Sequence, residues 1–220
     1  MFSDDEDGLT KDPPPPHAYR TLYRHKSTLS FFYRAVEAAT ERARDLLRKP
    51  GLHYDGSFYC HLVRYLITNK AISQETQKRY GFRFFPLPNT GLEVLSDGDR
   101  IRIWKATGEG EIPPPGDSAG RQAFCDQPID PTLFAPEDYA IVNPGRLVLL
   151  WDTDTSLGLN RFDLACPWEW KTIWDSPKAH WQLAVPHPAT WITPVEDFKS
   201  KEEDFELDLD ALGDEQPEDR

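Results

Sequence analysis

SQETQKRYGFRFFPLPNTGLEVLSDGDRIRIWK, residues 73–105, holds the point where the chain changes its kind of secondary structure. Up to Tyr80 apolar residues recur at helical spacing. After Gly81 the period falls toward two in FRFFPL (82–87), LEVLS (92–96) and RIRIWK (100–105), and PNTG and SDGD supply turn chemistry between them. Helices followed by strands make an α+β chain. The expected fold is about three N-terminal helices packed on a mainly antiparallel β-sheet, between disordered acidic termini.

Upstream, STLSFFYRAVEAATERARDLLRK places Leu29, Phe32, Val36, Ala39, Ala43 and Leu46 on one helical face. Ser27 is the expected N-cap, Arg48 and Lys49 suit the C-terminal dipole, and Pro50-Gly51 ends the helix. GSFYCHLVRYLITNKAI repeats the signal through Phe58, Leu62, Tyr65 and Leu66, with His61 expected as a hydrogen-bonded core imidazole. Ser73 caps a short third helix over SQETQKRY.

Downstream, residues 107–146 read as a long proline-rich loop with one short helix near Arg121 to Cys125. LVLLWDTD and LNRFDLAC form a hairpin through TSLG, and WKTIW and HWQLAV read as further strands. Trp151, Phe162, Leu164, Trp170 and Trp181 each lie in a segment with polar neighbours, and this alternation supports an antiparallel sheet. Trp168 and Trp170 share a sheet face, which packs as core or, if exposed, serves as a stacking surface. The organisation is then an acidic, proline-rich leader (1–16), one α+β domain (17–195, helical to 80 and β-rich from 81) and an acidic tail (196–220).

Charge is polarised along the chain. Residues 17–80 carry twelve Lys/Arg against five Asp/Glu, and residues 196–220 carry three against twelve, within a net charge of −12. Such polarity points to an electrostatic partner, protein or nucleic acid, or to masking of one segment by another. In the tail, Phe205, Leu207, Leu209 and Leu212 interrupt the acidic residues, the composition of a segment that orders on a basic partner. Cys60, Cys125 and Cys166 are odd in number and widely spaced, and MFSDDEDG is no secretory signal, so reduced thiols in a cytoplasmic protein are expected. No apolar run has the length of a membrane span. The chain has neither a GxxxxGK[ST] phosphate loop nor a GxSxG elbow, which disfavours the common nucleotide-hydrolase and serine-esterase chemistries.

Two constellations remain. LVRYLITNKAISQETQKRYGF resembles a helix-turn-helix, whose second helix would present Gln74, Gln77, Lys78 and Arg79 to bases and phosphates, with the 92–105 hairpin as a wing. Asp152 and Asp154 at the end of an apolar strand, followed by Glu169-Trp170-Lys171, resemble the PD-(D/E)xK nucleases. That resemblance implies Mg²⁺ held by the carboxylates, with Lys171 beside the phosphate. The leading expectation is a non-enzymatic regulatory protein with no cofactor, a basic helical face for nucleic acid or an acidic partner, and a masking tail. The alternatives are the Mg²⁺-dependent nuclease and an acidic mimic of nucleic acid.

Overall fold

The computed structural model describes residues 14–48, 56–87, 91–126, 145–169 and 171–191. The chain divides into compact units of residues 1–185 and 186–220. Within the first lie α1 (Pro16–Arg24), α2 (Lys26–Leu47), α3 (Gly56–Ala71), α4 (Gln74–Tyr80), β1 (Phe82–Leu87), β2 (Gly91–Ser96), β3 (Asp99–Lys105), α5 (Ala119–Cys125), β4 (Arg146–Thr153), β5 (Leu159–Glu169) and β6 (Lys178–Ala184). In the second, the described residues make a single 3-10 turn, Pro188–Thr190, where the His187 ring accepts the Ala189 N–H. No helix among the described residues is long and apolar enough to cross a membrane.

The strands lie in sequence order across one six-stranded sheet. Every neighbouring pair is antiparallel except β3 and β4, which are parallel. A parallel pair needs a crossover, and the segment carrying α5 supplies it. Asp97 and Gly98, with φ of 46° and 84°, make the two-residue β2–β3 turn; positive φ at both positions matches strand twist, and an Asp-Gly pair tolerates it.

The sheet is covered on both faces. Phe82 packs on Phe31 and Phe32 of α2, with ring centroids 5.2 Å apart in each pair, and Tyr33 meets Phe162 edge-on. On the opposite face, Trp104, Val148, Leu150 and Ala165 form a second core with Phe124 and Cys125 of α5. The α2 positions expected in the core are buried, apart from half-buried Leu46.

Several expectations need correction. Four helices, not about three, precede the sheet, because Pro16 opens α1: proline's fixed φ and missing N–H suit the first helical position. The cap of α2 falls at His25, and Ser27 lies inside the helix. The buried face of α3 is Tyr59, Val63, Ile67 and Ala71, so Phe58, Tyr65 and His61 are exposed. Residues 171–174 of the expected WKTIW strand form bends and turns. Trp168 is partly exposed, whereas Trp170, Lys49, residues 1–13 of the leader and the tail lie outside the described residues.

A buried polar network fastens the α1–α2 junction to the β2–β3 hairpin. One His25 ring nitrogen lies 3.0 Å from Ser96 Oγ and the other 2.7 Å from Asp99 Oδ2. Thr28 Oγ1 lies 2.9 Å from Ser96 Oγ, Arg24 pairs with Asp99, and the Gly145 N–H donates to Asp99 Oδ1 at 2.7 Å. All four side chains, His25, Thr28, Ser96 and Asp99, are buried, so their polar atoms are satisfied inside the fold.

Two measurements test this architecture. Phe32 is wholly buried, and Phe32→Ala should cost about 3–5 kcal/mol by denaturant titration. The α1 ring of His17 stacks on His180 of β6 at 5.8 Å, and burial lowers both pKa values from the ordinary imidazole value, His17 being lowered further by the charges of His180 and Arg20. A lowered folded-state pKa gives stability that is full above about pH 6.5 and is lost as the pH falls below it. The thermal midpoint should therefore drop on mild acidification, and His17→Phe should flatten that drop.

Candidate functional site

The α3–α4 connection is the tight pair Ile72–Ser73, and Ser73 Oγ accepts the Thr76 N–H at 3.4 Å, capping α4 as expected. Gly81, at φ 72°, ends the helix and turns the chain directly into β1. This close succession sets α4 beside the β2–β3 turn. Between them lies an open groove of about 770 Å³ lined by Gln74, Gln77, Lys78, Gly81, Phe82, Arg83, Leu95, Asp97 and Gly98.

Three of the four expected nucleic-acid contacts therefore converge, and their roles differ. Gln77 is a structural staple: its amide donates to Ala71 O at 3.2 Å and Ile72 O at 3.1 Å, and its oxygen accepts the Phe84 N–H at 3.0 Å. Its hydrogen-bonding groups are thus committed to the fold. Arg79 leans on the neighbouring Tyr80 ring at 5.6 Å, apart from the groove. Lys78 and Arg83 face the groove exposed, with no carboxylate partner among the described residues. Asp97, the acidic tip of the hairpin, is met by Arg24 at 3.4 Å, so its charge is offset.

The groove continues onto one face of β1–β3. Strand register aligns Arg83, Leu95 and Arg100 in one cross-strand row and Phe85, Glu93 and Arg102 in the next. Arg100 and Arg102 both bind Glu93, and Arg102 also lies over the Phe124 ring at 4.3 Å. Burial pushes the Glu93 carboxyl up, yet hydrogen bonds from Arg102 and Arg100, and their charges, hold it below its ordinary value. One carboxylate against three arginines leaves this face basic, with Phe85 exposed upon it.

Sequence reasoning named neither Arg83 nor Arg100. The available signal was R-x-F in FRFFPL and R-x-R in RIRIWK, since a spacing of two puts both members on one sheet face.

The structure does not bring the nuclease-like residues together. Asp152 pairs across the sheet with Arg161, eight residues from Glu169 along β5, a separation of about 26 Å. Asp152 is held by Lys105 at 3.4 Å. Asp154 Oδ1 accepts the Ser156 N–H, Ser156 hydroxyl and Gly158 N–H, which shape the β4–β5 turn and lower its pKa. Lys171 is exposed beyond the far end of β5. A shared Mg²⁺ site needs carboxylates within bonding reach of one ion, and this register separates them.

Ser96, His25 and Asp99 are the residue types of a hydrolytic triad. Ser96 is only 3% exposed and its hydroxyl is engaged by both His25 and Thr28, so the cluster serves as a packed joint. Cys125 and Cys166 are likewise inward. Burial pushes their thiols to about 11 and about 12, the former against the opposing charges of Arg102 and Arg121 and the latter with a further rise from Asp99.

No family model, curated protein or solved structure matches the chain. The site is therefore read from its own chemistry. The staple reading predicts that Gln77→Ala lowers stability by about 1–2 kcal/mol, since it strips a partner from the Phe84 N–H. Gln74→Ala should leave the unfolding midpoint unchanged.

Proposed function

We propose that this protein is a non-catalytic interaction domain whose α4–β1 groove takes an acidic, apolar-punctuated segment of a partner protein. The observation that carries this reading is the concave meeting of Lys78 and Arg83, without carboxylate partners among the described residues, beside the apolar Leu95. A concavity with cations at its wall suits an extended acidic chain, whose carboxylates meet the cations while apolar side chains rest on Leu95 and Phe85. Duplex DNA fits less well: α4 has only seven residues, and its Gln77 is committed internally.

Single-stranded nucleic acid is the second reading, favoured by the exposed Phe85 ring beside the Arg83–Leu95–Arg100 row, where a base could stack. Mimicry of nucleic acid gains little from the described residues, because Glu93, Asp99, Asp152 and Asp163 each face a cationic or imidazole partner.

The sequence of the tail, with Phe205, Leu207, Leu209 and Leu212 among its carboxylates, has the chemistry proposed for the ligand. Its role in this reading is to compete for the basic surface, and tethering gives even a weak contact a high effective concentration.

A synthetic peptide of residues 196–220 is the probe, titrated by fluorescence anisotropy against the full chain. Changing Phe205, Leu207, Leu209 and Leu212 to Ser within the protein keeps its charge and should strengthen binding of the added peptide about tenfold, as the tethered competitor is weakened. Lys78→Glu with Arg83→Glu should weaken binding at least about tenfold and remove most of the salt dependence of the binding that persists. An affinity unmoved by both changes overturns the proposal, and preference for an oligonucleotide over the peptide selects the second reading.

A further inference from the structure

Away from the groove, α3 turns an uncharged stripe to solvent. Tyr65 is 56% exposed, Phe58 49% and Ile72 59%, although each is a large apolar or aromatic side chain. Ile72 lies one residue past the end of α3, and its N–H donates to Thr68 O at 3.0 Å, which keeps it on the helical spiral. At about 100° per residue, Phe58, Leu62, Thr68, Asn69 and Ile72 all project within about 60° of Tyr65. The buried positions Tyr59, Val63, Ile67 and Ala71 occupy the opposite side. The spacing 58, 62, 65, 69, 72 is the alternation of four and three that makes a seam for a second helix.

The stripe is palindromic in character about Tyr65. In an antiparallel pairing of two α3 helices on a two-fold axis through Tyr65, Phe58 meets the partner's Ile72, Leu62 meets the partner's Thr68, and Tyr65 meets the partner's Tyr65. Asn69 falls against the partner's His61, polar against polar. The charged residues of this segment are Arg64 and Lys70, which project about 100° and 140° from Tyr65. Arg64 is set against the partner's Leu66 and Lys70 against the partner's Cys60, so no like charges oppose one another. An isologous interface requires this kind of self-complementarity. An uncharged contact also lets two molecules of net charge −12 approach without opposed charges at the interface.

We infer that α3 pairs antiparallel with α3 of a second copy of this chain, with Tyr65 on the two-fold axis. A single helix face buries less than the roughly 800 Å² per partner of a standard interface, so the dimer is reversible and depends on concentration. The inference is independent of the α4–β1 groove, because Lys78 and Arg83 take no part in the pairing.

Sedimentation velocity on the full chain over a concentration series tests it. The wild-type protein should pass from monomer to dimer. Tyr65→Glu sets two carboxylates against each other at the axis and should raise the dimer dissociation constant about tenfold or more, with the circular dichroism spectrum and thermal midpoint unchanged because Tyr65 is exposed. Tyr65→Cys in a Cys60→Ser background should cross-link to the same position of the second copy on mild oxidation, whereas Arg42→Cys on the exposed side of α2 should not. A wild-type monomer at every concentration overturns the inference. So does a dimer that survives Tyr65→Glu, or one in which the Tyr65→Cys variant cross-links no faster than the Arg42→Cys variant, since either places another surface or another occupant at the contact.

Discussion

Asp99 is the pivot of the structure. Its carboxylate receives Arg24 and His25 from the α1–α2 junction and the backbone N–H of Gly145 at the entrance to β4. Three segments distant in sequence thus meet at one buried anion. Removing that carboxylate would strand a His25 ring nitrogen away from water, and an unsatisfied buried group costs more than a hydrogen bond contributes. Thr28, at 2.9 Å from Ser96 Oγ beside the hairpin's turn, also lies 3.1 Å from Tyr80 O just before β1, and so ties the hairpin to the start of that strand. The groove beside α4 inherits its shape from that arrangement.

The elements most legible in the sequence were those with a strong period and clear ends. β1, β2, β3 and the β4–β5 hairpin follow from alternation bounded by Gly, Asp and Asn, and α4 follows from Ser73 and Gly81. α1 escaped because its first residue belongs to the PPPP run, which reads as extended chain until the residues after it are seen to bury Ala18 and Leu22. The α3 face was misplaced because two apolar stripes run along that helix, and sequence period cannot say which of them meets α2. The parallel β3–β4 pairing was hidden for a different reason. It depends on where the long 106–145 connection delivers the chain, a tertiary matter that alternation does not record.

The candidate site was legible in its region and not in its residues. The excess of cations before Tyr80 directed attention to α4, but α4 contributes Lys78 alone as a groove cation without a carboxylate partner among the described residues, and β1 contributes the other, Arg83. Charge counted along a chain cannot distinguish a side chain already spoken for. Gln77 illustrates this: exposed in a helical projection, it is bound at both ends of its amide. The paired carboxylates Asp152 and Asp154 illustrate the converse, since one neutralises Lys105 and the other builds a turn.

The bond from Phe84 to Gln77 has a consequence for how the sheet ends. β1 is an edge strand, and the outward amides of an edge are a template on which a further strand can form. The outward N–H of Phe84 is already occupied by Gln77, and two residues on, Pro86 has no N–H to offer. Growth of the sheet past β1, whether by a partner's strand or by edge-to-edge aggregation, is blocked there at two successive sites. Under the proposed function, recognition beside this edge falls to side chains such as Lys78 and Arg83 and not to the backbone of β1.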